Sequence, residues 1–90
     1  MSNPTPPRIE FPCDDYPIKI MGDAKDELHT LVATVIERHA PGFDQTRISV
    51  RDSRNGRYQS ITVFITATGE PQLKAIFDDL KQSKAVKMVL

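Results

Sequence analysis

The sequence has no tryptophan and a single cysteine, Cys13. An internal disulfide is therefore excluded, and paired-cysteine metal sites with it. Glycine is scarce, at four residues in 90. Walker and dinucleotide loops need several glycines close together, and the only comparable stretch, Met21-Gly22-Asp23-Ala24, has one. No apolar run approaches the roughly 20 residues of a membrane span, so no membrane association is expected. Neither sign of charge dominates: 12 Lys+Arg balance 12 Asp+Glu, which removes the overall basic excess that draws proteins onto nucleic acid or anionic lipid. The opening Met1-Ser2-Asn3-Pro4 has neither the basic stretch nor the apolar core of a signal peptide, and with a lone thiol the expected compartment is the cytoplasm.

What remains is a globular composition, 39% apolar and 27% charged, in a chain long enough for one domain only. Residues 1–8 read as a flexible tail, since Ser2 to Pro7 hold three of the seven prolines and show no periodicity. The domain spans 9–90, with Ile9 to Cys13 anchoring the tail ahead of a turn at Asp14-Asp15. From Tyr16, the alternation of Tyr16, Ile18 and Ile20 against Lys19 and Met21 predicts a half-buried strand that stops at Gly22. Asp23 is the expected cap of a helix from Ala24 to His39, with Leu28, Leu31, Val32, Val35 and Ile36 on its apolar face and Ala40-Pro41-Gly42 ending it. Ile48 and Val50 alternate with Arg47, Ser49 and Arg51, and Asn55-Gly56 turns this strand into a hairpin. The returning strand puts Ile61, Val63, Ile65 and Ala67 on one face and Tyr58, Ser60, Thr62, Phe64 and Thr66 on the other. Thr68-Gly69-Glu70-Pro71 opens a second helix with the stripe Leu73, Ile76, Phe77 and Leu80. The last alternation sets Val86, Met88 and Leu90 against Lys87 and Val89.

The order βαββαβ predicts an α+β, ferredoxin-like sandwich: a four-stranded antiparallel sheet, the first and third strands central, both helices on one face. The other face is left open, to solvent or to a partner.

Few residues are equipped for chemistry. Cys13 has no neighbouring base or helix N-terminus and stands beside two acids, so it reads as a packed thiol. His29 and His39 point about 80 degrees apart on one helix and cannot share a metal. No metal, cofactor or catalytic residue is expected. The strongest local signal is a basic hairpin, in which Arg47, Arg51, Arg54 and Arg57 are offset only by Asp52, opposite an acidic segment from Ile9 to Glu27. Lys19, Lys87 and Phe64 extend that surface across the open face, and it would suit a partner protein or RNA. A sheet-type RNA reader needs aromatic platforms on its central strands, and Phe64 with Tyr58 supplies few. Met21, Phe64 and Val89 on the same face would be covered in a homodimer.

The stretches Glu10-Phe11-Pro12, Ile18-Lys19-Ile20-Met21-Gly22, Arg38-His39-Ala40-Pro41, Gly56-Arg57-Tyr58-Gln59-Ser60 and Val86-Lys87-Met88-Val89-Leu90 together resemble the YbeD-like family of small bacterial proteins of unknown function. The resemblance covers about residues 9 to 90 and implies a ferredoxin-like fold similar to ACT regulatory domains. Members often neighbour lipoate-attachment genes, which implies a regulatory link. ACT domains bind effectors at the loop from first strand to first helix, which implies a ligand site at Gly22, Asp23 and Ala24, although Lys25-Asp26 stands where those domains favour Pro-Gly. A non-enzymatic regulatory or adaptor domain, binding a small effector or a partner protein, is the leading expectation, and RNA binding is the alternative. An acylphosphatase, which shares the topology, needs an arginine in a glycine-rich loop where this chain has Asp23.

Overall fold

The computed structural model describes residues 10–90. The tail expected over residues 1–8, together with Ile9, lies outside them. The elements run β1 (Cys13–Asp23), α1 (Asp26–His39), a 3-10 turn (Gln45–Arg47), β2 (Ser49–Asp52), β3 (Tyr58–Ala67), α2 (Glu70–Lys81) and β4 (Val86–Val89). All pairings are antiparallel, in the order β2-β3-β1-β4, so the two longest strands are central as their alternation predicted.

The core lies between one sheet face and the two helices. Ile18 and Ile20 of β1, Ile61 and Val63 of β3, Leu28, Val32 and Ile36 of α1, and Ile76 and Leu80 of α2 have no solvent exposure. Each contributes about 1.5–3 kcal/mol relative to its exposed state. No polar or charged side chain among the described residues is buried with them.

β1 begins at Cys13 rather than at Tyr16. Cys13 pairs with Ala67 and Tyr16 with Ile65, so Asp14 and Asp15 form a bulge instead of a turn ahead of the strand. Asp15 takes a φ of 54°, a left-handed conformation that aspartate tolerates better than most residues. Pro17 sits inside a central strand without breaking a ladder. Lys19 donates its N–H to the Leu90 carbonyl, so two residues back the missing donor of Pro17 lies beyond the last β1–β4 bond and costs that ladder nothing.

The expected cap at Asp23 is not formed. Asp23 pairs with Tyr58 as the last residue of β1, its N–H goes to the Ala85 carbonyl at 2.9 Å, and Ala24 donates to the Arg57 carbonyl at 3.0 Å. These sheet bonds hold the chain extended, and α1 starts at Asp26 behind Lys25, with no side-chain cap. Asp26 and Glu27 still occupy the first turn and His39 the last, as the macrodipole favours.

β4 corrects the expected facing of its residues. Met21 pairs with Met88, but Gly22 pairs with Val86, which leaves Lys87 as one extra residue. The two-residue period breaks there. Val86 and Val89 both pack against the core, whereas Met88 and Leu90 stay 48% and 64% exposed. Val89 therefore leaves the open face, and Met88 and Leu90 take its place beside Met21. On β2, Val50 lies opposite the buried Ile61 yet is 46% exposed, because the edge strand extends beyond the cover of the helices.

Candidate functional site

The residues singled out by sequence fall into separate places. The loop from β1 to α1 is closed by its own bonds. The Asp23 and Ala24 N–H groups are used by Ala85 and Arg57, and Lys25 donates to the Asp23 carbonyl at 2.8 Å. A Cβ on Gly22 would stand 2.3 Å from the Ala85 oxygen and 2.9 Å from Leu28 Cδ1. A ligand at Gly22, Asp23 and Ala24 would have to displace these partners. Lys87 reaches toward the same corner, its Nζ 3.9 Å from Asp23 Oδ2.

The hairpin arginines do not act as one patch. The Arg47 guanidinium lies 4.5 Å above the centre of the Phe64 ring and pairs with Asp15 across the β1 bulge. That stack borders a cleft of about 410 Å³ at the β1 bulge, lined by Asp14, Asp44 and Thr66 among others. Arg54 and Arg57 sit in the Ser53–Arg57 turn. Ser53 closes it by donating its N–H to the Tyr58 carbonyl and accepting the Tyr58 N–H at its Oγ, with Gly56 at a φ of 73°.

Lys19 and Arg51 do come together. Strand register places Lys19 beside Thr62, Thr62 beside Ser49, and Ser60 beside Arg51, all on the side away from the helices. Lys19, Ser49, Arg51, Ser60 and Thr62 line a groove of about 240 Å³. Among the described residues neither Lys19 nor Arg51 belongs to an ion pair. The nearest acid in sequence, Asp52, projects to the opposite side and accepts from Gln59 Nε2 at 2.9 Å.

One polar cluster was not foreseen. His39 Nε2 and Asp79 Oδ2 lie 2.6 Å apart, Arg38 donates to the same oxygen at 3.0 Å, and Gln72 Nε2 donates to the His39 carbonyl at 3.0 Å. This network ties the end of α1 to α2. No signal in the sequence could pair residues 40 positions apart. The His39 bond, helped by Arg38, holds the Asp79 carboxyl below its ordinary value of 3.8. A depressed carboxylate stabilises the fold above that value and loses its contribution as pH falls through and below it. Asp79→Asn should thus lower the thermal midpoint by a few degrees at pH 7, and the gap from the parent should narrow at an acidic pH below the ordinary carboxylate value. Thermal melts at the two pH values check this.

Among the described residues no helix is long and apolar enough to cross a membrane, and no three His, Cys, Asp or Glu side chains are grouped to hold a metal.

A four-stranded antiparallel sheet under two helices, in this connectivity and with one face left uncovered by the described residues, defines an α+β protein of the ferredoxin-like, ACT-like kind. Solved structures agree on the fold. The solution structure of protein HP0495 from H. pylori superposes with a TM-score of 0.77 at 21% identity, covering 100% of this chain and 93% of that one. The ACT domain from GTP pyrophosphokinase of Chlorobium tepidum, in its solution structure, gives 0.62 at 19% identity, over 82% and 80% of the two chains. The chain belongs to the DUF493 family, described as a protein of unknown function, whose profile matches residues 6–90, in keeping with its YbeD-like resemblance. It is similar to UPF0250 proteins from Azotobacter vinelandii, at 55% identity over 93% of this chain and 91% of the relative, and from Nitrosomonas europaea, at 43% over 91% and 93%.

Proposed function

We propose that this chain is a regulatory or adaptor domain that acts by binding a small effector or a partner protein, without catalysing a reaction, and that the uncovered sheet face is its contact surface. The observation that carries this reading is the character of that face. It combines cations that have no ionic partner among the described residues, Lys19 and Arg51, with exposed apolar side chains, Met88 and Leu90. The apolar side chains gain from being covered, and the two cations gain from a partner that brings anionic groups to pair with them. The ACT-like fold supports the same role, since one neighbour is by its description a domain of a larger enzyme. A second copy of this chain is among the partners such a face would accept.

RNA binding has less support, because Arg47 already occupies the ring of Phe64 on which a base would stack.

The test has two arms. Thermal shifts with amino acids and lipoate at high concentration should reveal an effector. Capture from a cell lysate, compared between the parent chain and Met88→Glu, should show at least one species that the variant loses. If no ligand shifts the midpoint and every captured species binds both chains equally, the uncovered face is not a contact surface and the proposal fails.

A further inference from the structure

We infer that the groove formed by Lys19, Ser49, Arg51, Ser60 and Thr62 binds a small soluble oxyanion, the phosphate or carboxylate group of a metabolite. The inference deepens the binding role proposed above and rests on it, naming the ligand class and the residues.

The groove is built on backbone that cannot easily move. Lys19 and Thr62 are paired on the two central strands, while Ser49 and Arg51 are held by the β2–β3 ladder. With strands about 4.8 Å apart and a two-residue step of about 6.8 Å, the Lys19 and Arg51 Cα atoms lie about 12 Å apart on a diagonal. Both side chains are long enough to bring their charged ends over Ser60 and Thr62, which occupy the space between them. Two cations and three hydroxyls then converge on one volume of about 240 Å³. At about 30 Å³ per water this equals roughly eight waters, room for a phosphate ester head or a short dicarboxylate.

The donor set selects for charge and shape. A guanidinium presents a planar fork that matches two oxygens of a carboxylate or phosphate, and an ammonium adds a compact positive charge. Serine and threonine hydroxyls complete the shell of an oxyanion by donating to its remaining oxygens. No acidic side chain lines the groove. The contrast with Arg47 is informative. That arginine is consumed by Asp15 and Phe64, whereas Lys19 and Arg51 have no ionic partner among the described residues. A phosphate backbone would find the same two cations, but stacking of bases would need the ring that Arg47 covers.

The experiment is a nitrogen–proton NMR titration of the full chain at low ionic strength, run separately with inorganic phosphate, with succinate and with a uridine octamer. Either small oxyanion should produce saturating shifts confined to the amides of 49–51 and 60–62 and to the Arg51 side chain. Sodium chloride at matched ionic strength should not reproduce them. Whichever of phosphate and succinate saturates at lower concentration identifies the preferred headgroup. Lys19→Gln and Arg51→Gln alter exposed side chains, and undisturbed core amide signals will confirm that both variants fold. Each should weaken the interaction about tenfold, the loss of one charge-assisted contact. The inference is overturned if neither oxyanion saturates, if the double variant titrates like the parent, or if only the uridine octamer binds and shifts Arg54 and Arg57. An empty groove alongside a lysate species that Met88→Glu loses would remove the oxyanion site and leave the binding role standing. An occupied groove with no such species would support the small-effector form of the proposed role and remove its partner-protein form.

Discussion

Gly22→Ala should destabilise the fold by about 3 kcal/mol, read as a lower urea midpoint with little change in slope. The φ of Gly22 is ordinary, so the cost is not backbone strain. The added methyl would meet the Ala85 carbonyl oxygen at 2.3 Å and its carbon at 3.2 Å, and Leu28 Cδ1 at 2.9 Å. A real Cβ does not tolerate the first of these contacts, and the obstructing atom is backbone. Relief therefore requires the chain ahead of β4 to move away from β1, and that breaks the bond from the Asp23 N–H to the Ala85 carbonyl. Two costs add: overpacking at about 1–3 kcal/mol and a lost backbone hydrogen bond at about 0.5–1.5 kcal/mol. Hydrogen exchange of the Asp23 amide should accelerate in the same variant. Gly56→Ala is the contrasting case. Nothing lies within 4 Å of its Cβ position, but its φ of 73° is left-handed. Its cost of about 1–2 kcal/mol should leave Asp23 exchange relative to global opening unchanged. If Gly22→Ala keeps full stability, the close approach is wrong, and a ligand role for this glycine regains its footing.

Ile20→Ala should cost about 2–5 kcal/mol, a large share of the roughly 5–15 kcal/mol that a domain of this kind has in total. Ile20 has no exposure and lies between Ile61 on β3 and Val89 on β4. Truncation leaves a cavity on a central strand flanked by ladders on both sides, where neighbouring side chains can collapse only partly. Val50→Ala, opposite the same Ile61 but 46% exposed, should change stability by less than about 0.5 kcal/mol. Equal urea midpoints for the two variants would contradict the assignment of the core face.

How far each feature was legible depends on the distance over which it is encoded. Tyr16, Ile18 and Ile20, or Ile61 through Ala67, announce their strand within a few residues, and the helical stripes do the same over four turns. β4 failed this test because its alternation contains a bulge. A single unpaired residue, Lys87, reverses every side chain beyond it, and only the pairing with Met21 and Gly22 reveals that residue. Asp23 failed for a related reason. As an isolated residue it favours capping, but Tyr58, Arg57 and Ala85 supply sheet bonds that hold it extended. Among the surface cations, sequence could count Lys19, Arg47, Arg51, Arg54, Arg57 and Lys87 but not sort them. The structure places Arg47 on Phe64, Lys87 near Asp23, Arg54 and Arg57 in a turn, and Lys19 with Arg51 around a shared groove.

The amino-acid order alone determined the βαββαβ succession, the central position of the two long strands and the apolar set that fills the core, because periods of two and of 3.6 residues are written in neighbouring positions. The tertiary structure decided which side of β4 meets the helices, that Gly22 is a point of close backbone approach, that His39 meets Asp79, and that Lys19 and Arg51 line one groove. Those outcomes depend on register between segments far apart in the chain, where a shift of one residue exchanges the two faces of a strand and no local pattern records it.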